Sequence, residues 1–407
     1  MRKAIVWFVV CMMIAIGFVA CGGGGSTSGS GGDTAETLNL NISANANVDL
    51  TSSYTLHKTM LYVDYNTITT QTGFKLAIAY ADINHDGEVD VFLSAGNGTT
   101  SRTSVQVLMN NGSNIYSAQT ASVITNAEPG VVHPRKALTG DYNGDGWPDI
   151  FVIGHGYDQS PFPGEYPLLF LSNGNGTLRY VSGFESLIGF HHGGASADID
   201  ADGDIDIFVA DNNAPFFLIN DGHGNFTEDT SRVTTELNGK SFFTAELINV
   251  DNDGYVDLIV GGHEQQGMPT TVYWGSSSGT YRASNKTVMP AVSDWGTVLD
   301  FAVEDISGDG VKDIIINRTG STNFYVGRYI QILRQTASRQ FSDETSSRIT
   351  MNTTLSWFPW LRVQDVDNDG HPDIFIDNKS FCSGQCAWRN NGSGIFSSYT
   401  GTITPSL

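Results

Sequence analysis

Basic residues are scarce in this chain: 21 Lys and Arg stand against 43 Asp and Glu, a formal charge of −22. A chain of that sign repels a phosphate backbone, which argues against nucleic acid as a partner. Cysteine is scarcer still, four in 407 residues, and outside the N-terminal segment too few remain to complete a thiolate zinc site. Long helical periodicities are few, and neither an H-x-x-x-H spacing nor a nucleophile motif occurs, so a helix-borne metal centre and covalent catalysis have no signature here. What is plentiful is glycine, with 46 residues, alongside 40% apolar and 11% aromatic residues. That balance describes an all-β chain with many turns and ample core material. Single cores stop growing near about 250–300 residues, so a chain this long is split or repetitive.

The repeat is visible at residues 198–206, which read D-I-D-A-D-G-D-I-D and run into Ile207, Phe208 and Val209. Oxygen-bearing side chains at positions one, three, five and nine, with glycine at six, suit a hard cation that takes roughly 6–8 oxygens. Six copies occur. Their ligand positions are Asp82, Asn84, Asp86 and Asp90; Asp141, Asn143, Asp145 and Asp149; Asp198, Asp200, Asp202 and Asp206; Asn249, Asp251, Asp253 and Asp257; Asp305, Ser307, Asp309 and Asp313; and Asp365, Asp367, Asp369 and Asp373. Position six is glycine in every copy, from Gly87 to Gly370. An EF-hand needs a bidentate Glu at position twelve. Here that position is Leu93, Val152, Val209, Val260, Ile316 or Ile376, so the loops feed buried strands instead. Up to six Ca²⁺ ions are expected, and twenty of the acidic residues sit at these positions. The acidity is therefore largely metal chemistry. Ser307 makes the fifth loop the weakest expected site.

At the front, Arg2 and Lys3 precede an uncharged apolar run over residues 4–20, ending Phe18-Val19-Ala20-Cys21. This resembles a bacterial lipoprotein signal over residues 1–20, with Cys21 the lipidated residue and residues 21–36 a Gly/Ser tether. An ordinary signal peptide or a single membrane span is the alternative; in each case the remainder is exported. The resemblance implies an outer-membrane lipoprotein facing the periplasm or the surface, with the membrane as a partner through the lipidated N-terminus. Cys382 and Cys386 then form an exported C-x-x-x-C pair, read as a disulfide, with a redox or metal role as the alternative.

From residue 74 onward each copy has one plan: an apolar strand ending in the Asp loop, a second strand directly after it, a variable connector, then a hairpin. Asn-Gly turns mark the hairpins at Asn110-Asn111-Gly112, Asn173-Gly174 and Asn390-Asn391-Gly392. Four antiparallel strands per repeat make a propeller blade. The motif D-x-[DNS]-x-D-G-x-x-D followed by L-x-N-x-G-x-G resembles FG-GAP or VCBS repeats, the integrin α-type β-propeller. The resemblance implies structural calcium on one face and ligands elsewhere. It also favours seven blades over six, the extra one built mainly from residues 37–73 of a propeller covering residues 37–407.

In such a blade the Asp loops and hairpin turns share one face, and the variable connectors share the other. The connector face collects His133, Arg135, His155, Asp158, Glu165, His191, His192 and His263, with aromatics that include Phe162, Tyr325 and Trp360. These are candidate ligand-binding residues for a glycan or a protein. The expected function is an exported, calcium-stabilised binding or adhesion module. Two alternatives are a hydrolase or lyase on extracellular polymer, using His191 and His192 with Glu165 or Asp158 as acid and base, and a structural assembly subunit.

Overall fold

The computed structural model describes residues 37–39, 75–112, 115–322, 325–367, 369–376 and 384–400. The proposed signal and tether, Cys21 and Cys382 lie outside these residues. Six antiparallel sheets are described, each built on a four-stranded meander in which sequence neighbours pair. The second reads Pro134–Gly140, Asp149–Gly154, Leu168–Ser172 and Leu178–Val181, close to the strands its pattern predicts. The inner strands of the six are Lys75–Ala81, Pro134–Gly140, His191–Ala197, Phe242–Ile248, Thr297–Glu304 and Leu361–Gln364. Each packs against the next in sequence order, so the fold is an all-β propeller whose blades radiate from those strands.

Both faces of each blade are covered. In the second strand of the second blade, Ile150 and Val152 join the cluster shared with Phe92 and Val107 of the first blade. Their alternating neighbours Phe151 and Ile153 join the cluster shared with Ile207 and Leu218 of the third. This two-sided burial is why the second strands read as continuous apolar runs rather than as alternating ones. The pattern continues between the fourth and fifth blades through Trp274 and Phe301, and between the fifth and sixth through Ile332 and Trp388.

Residues 37–73 were expected to supply a separate blade. Thr37–Asn39 instead pairs antiparallel with Ile115–Ala118, as a fifth strand on the outer edge of the first sheet. That placement satisfies an edge whose N–H and C=O groups would otherwise be unpaired. Residues 40–74 lie outside the described part.

Polar groups are buried along the inner strands as well. Lys136 of the second blade donates from Nζ to Ala245 O at 3.1 Å and to Glu246 Oε1 at 3.0 Å in the fourth, and both side chains are at most 4% exposed. One ion pair thus ties blades that are not sequence neighbours.

Four consecutive inner strands also break register. The shift falls between Pro134 and Lys136, between His191 and Gly193, between Phe242 and Thr244, and between Val298 and Asp300. The extra residue at each bulge is Arg135, His192, Phe243 or Leu299, at the end of the strand away from the Asp loop. A bulge bends its strand and re-aims the side chain it carries.

Candidate functional sites

The Asp loops fold around their first carboxylate. In the second loop Asp141 accepts from the Asp145 amide at 3.1 Å and from the Gly146 amide at 2.8 Å. The first, fifth and sixth loops repeat both bonds. The glycine at position six lies at φ between 81° and 97° in all six copies, a region closed to most side chains. Position four is also left-handed in the five copies described there: His85, Gly144, Ala201, Asn252 and Gly308. In the third and sixth loops a carboxylate oxygen from each of positions one, three and five lies within 4.8 Å of the others. This all-oxygen set, projecting from a loop, fits a hard cation.

Position nine has a different place. Asp149 is fully buried; its Oδ2 accepts from the Tyr142 and Asn143 amides at 2.7 and 3.1 Å, and its Oδ1 from the Ser172 amide at 2.6 Å. Asp90, Asp257 and Asp373 likewise join the amide of position two to that of the residue ending or following the third strand. These carboxylates tie the loop to the hairpin. Burial, working against those amide bonds, pushes Asp149 up to about 8, Asp90, Asp206 and Asp257 up to about 7, and Asp313 and Asp373 up to about 6. A cation beside them favours the ionised form.

Four loops hold a cation of the chain's own, which the spacing of the motif does not reveal. Arg334 reaches Ser307 Oγ at 2.6 Å, Asp309 Oδ2 at 2.7 Å and Asp313 Oδ2, spanning three ligand positions of the fifth loop. Arg339, from the same blade's hairpin, meets Asp251 and Asp253 of the fourth loop at 2.6 and 2.8 Å. Arg389 meets Asp367 and Asp369 of the sixth, and Arg232 meets Asp200 of the third at 2.9 Å. In the first and second loops the neighbours across positions three and five are amides, Asn84 on Asp86 and Asn143 on Asp145. The only sequence signal is that several of the scarce bases fall on hairpins. In Arg339→Ala and Arg389→Ala, the gap between the melting temperatures in calcium and in chelator is expected to widen. An unchanged gap removes these arginines from the loop chemistry.

On the connector face the bulged residues converge. The Arg135 guanidinium lies 4.7 Å from the Phe243 ring, and His192 lies 4.8 Å from the same ring. His192 also stacks with His155 at 4.8 Å and with Phe190 at 5.3 Å, while Phe243 continues to His263 at 5.9 Å and to Tyr325 at 6.2 Å. Tyr325 in turn meets Trp357 at 4.8 Å. A tract of imidazole and aromatic rings therefore runs from the second blade to the connectors of the fifth and sixth. Burial holds His192 well below the usual imidazole range, helped by the Arg135 charge, and holds His263 at about 4. Two aromatics on this face are exposed with left-handed backbone: Phe162 at φ 55° and Tyr325 at φ 60°. Bulky residues rarely occupy that region, and such strain clusters at ligand sites.

Not every candidate joins the tract. Glu165 is 2% exposed, and its carboxylate accepts from the amides of Val132, His133 and Gly156 at 2.8 to 3.0 Å. His191 pairs through Nδ1 with Asp211 at 3.1 Å and through Nε2 with the Leu187 carbonyl at 2.9 Å. Both are engaged by the scaffold: Glu165 by three buried amides, and His191 by the Leu187 carbonyl and the Asp211 carboxylate. Trp360 is half-buried just before the inner strand of the sixth blade. Phe243 was not anticipated, since F-F-T within a strand pattern gives no warning of a bulge. Between the second and third blades lies a cavity of about 340 Å³, lined by Phe184, Leu187, Asn225 and Phe226 among others. Cys386 is disulfide-bonded.

Known proteins place this architecture. Among solved structures, a lectin from Agrocybe aegerita, studied for its recognition of non-reducing terminal N-acetylglucosamine, is 17% identical with a TM-score of 0.56; the match covers 82% of this chain and 81% of the lectin. The V. cholerae biofilm matrix protein Bap1 is 15% identical with a TM-score of 0.41, the match covering 81% of this chain and 45% of that one. An ancestral GH74 enzyme is 10% identical with a TM-score of 0.38, over 74% and 38% of the two chains. No curated protein matches the sequence. The model of the FG-GAP-like repeat matches residues 82–152, 198–260, 249–316 and 305–376, more than half of the chain. With its six Asp loops each opening onto a buried second strand, the chain belongs to the FG-GAP-like repeat family.

Proposed function

We propose that this protein is an exported, calcium-stabilised binding module that holds a glycan or peptide on the connector face of its propeller. The observation that carries this reading is the set of bulged inner strands, which gather Arg135, His192 and Phe243 beside the strained, exposed rings of Phe162 and Tyr325. Aromatic faces stack on sugar rings or apolar side chains, and a guanidinium supplies directional donors. The lectin with a similar fold, studied for its recognition of terminal N-acetylglucosamine, illustrates that such a scaffold can present a glycan.

Calcium has a supporting part in the proposal. Up to six ions would sit at positions one, three and five of the loops, with position nine behind them. The extra carboxylate in the third and sixth loops favours them, and Arg334 disfavours the fifth. Export and lipidation at Cys21 belong to the same reading, and the disulfide at Cys386 suits an oxidising compartment. Catalysis is supported less well, because Glu165 and His191, half of the expected acid and base groups, are engaged by the scaffold.

The test is an array of neutral and acidic oligosaccharides and a peptide library, probed with the chain in millimolar calcium. A hit that weakens about 10–30-fold in Tyr325→Ala, as expected for a central aromatic anchor, with an unchanged melting temperature, supports the reading. Turnover of any arrayed polymer by the wild-type chain, or a hit indifferent to Tyr325→Ala, Phe162→Ala and Arg135→Ala alike, overturns it. A stable protein partner unaffected by all three favours the assembly subunit.

A further inference from the structure

We infer that His133, His155 and Asp158 form a site for a zinc-class divalent metal on the connector face, chemically distinct from the Asp loops. One ligand atom from each of the three lies within 4.8 Å of the others. His133 and His155 are 5% and 1% exposed, and Asp158 is half-buried at the rim. The donors are two imidazoles and one carboxylate, a set that suits zinc and its borderline neighbours at roughly 2.0–2.2 Å. The oxygen-only loops on the opposite face suit calcium. Sequence spacing conceals the site because its histidines come from the open end of a strand pair, His133 just before Pro134–Gly140 and His155 just after Asp149–Gly154.

The surroundings orient the ligands. His155 Nδ1 lies 2.9 Å from the Gly156 carbonyl. A carbonyl only accepts, so Nδ1 carries the proton and the neutral ring keeps its lone pair on Nε2, the arrangement metal-bound histidines adopt. The Glu165 carboxylate accepts from the His133 amide at 2.9 Å and the Gly156 amide at 3.0 Å, so one buried group fixes both histidine-bearing segments. Glu165 is thus a positioning residue. Gly156, at φ 73°, packs so tightly on the Gly164 carbonyl that a Cβ there would stand 2.3 Å from it, which holds the loop carrying Asp158 closed on itself.

Three protein ligands leave a coordination position open, as in zinc sites that meet a ligand. His192 lies next to one ligand, its ring 4.8 Å from that of His155 and its Nδ1 buried without a hydrogen-bond partner among the described residues. Arg135 opposes a cation by its charge, and it favours an anionic group in the open position. The metal site does not depend on the glycan or peptide reading, since an ion can bind with neither present.

The experiment uses the full chain, stripped with chelator, returned to millimolar calcium to saturate the Asp loops, then titrated with Zn²⁺ by calorimetry and, separately, with Co²⁺ by visible absorption. The expected result is one zinc equivalent per chain, with cobalt bands that report nitrogen ligation. Binding should weaken at least tenfold in Asp158→Asn and disappear in His155→Gln; Asp158→Asn lies at the rim and remains informative where His155→Gln fails to fold. Zinc uptake unchanged in Asp158→Asn, or no equivalent beyond what calcium displaces, overturns the inference. A wild-type chain that binds zinc but no arrayed ligand leaves this site standing while removing the binding proposal.

Discussion

Glu246→Ala is expected to cost the fold about 3–5 kcal/mol, because it leaves the Lys136 ammonium buried without its charge partner. The two side chains are 1% and 4% exposed and meet at 3.0 Å between the second and fourth blades. The remaining bond, from Lys136 Nζ to the Ala245 carbonyl, does not neutralise the charge. The double variant Lys136→Met with Glu246→Leu should recover most of the loss, since well-packed apolar replacements for buried ion pairs are often neutral or stabilising. Denaturant unfolding of the three variants measures both effects. Equal losses in the single and double variants would mean that the volume of these side chains, and not their charge, holds the blades together.

Asp149→Ala should be as damaging, and damaging with or without calcium. The carboxylate accepts three amide hydrogen bonds, from Tyr142, Asn143 and Ser172, and each buried amide left without an acceptor costs about 1–3 kcal/mol. A total of roughly 3–9 kcal/mol follows for the three amides. Asp145 stands in the same motif but is exposed at the loop tip. Asp145→Ala should lose stability only in calcium, by about 2.7 kcal/mol where the ion stands at a hundred times its dissociation constant, and almost none in chelator. Melting curves of both variants in calcium and in chelator separate the two roles. If Asp149→Ala were harmless in chelator, position nine would be a metal ligand and nothing more.

This difference between two aspartates marks how far the sequence can be read. The six loops, the strands on either side and the hairpin turns were legible, because the D-x-[DNS]-x-D-G spacing, the short apolar runs that follow it and the Asn-Gly turns each have one strong structural solution. The split between positions five and nine was not, since both are Asp and only burial separates them. Glu165 and His191 carry the residue types of an acid and a base, yet Glu165 satisfies amides and His191 pairs with Asp211; sequence reports the type of a group and not its partners. Arg135, His192 and Phe243 converge through bulges, which shift register by one residue with no compositional mark. Arg334, Arg339 and Arg389 enter the loops from hairpins, Arg339 from the neighbouring blade, and Arg232 from just beyond a fourth strand, so their contacts are set by tertiary packing. Thr37–Asn39 was readable as a strand, but its place on the edge of the first sheet depended on which edge stood unpaired.

The central claim is a division of labour: the Asp loops hold the scaffold, and the opposite face holds the ligand. The most direct measurement compares Asp202→Ala and Tyr325→Ala for melting temperature in calcium and for affinity toward the strongest ligand found on the arrays. The account predicts that Asp202→Ala lowers the melting temperature and leaves affinity unchanged, while Tyr325→Ala does the reverse. Loss of affinity in Asp202→Ala at an unchanged melting temperature would place the ligand on the Asp loops and contradict the account.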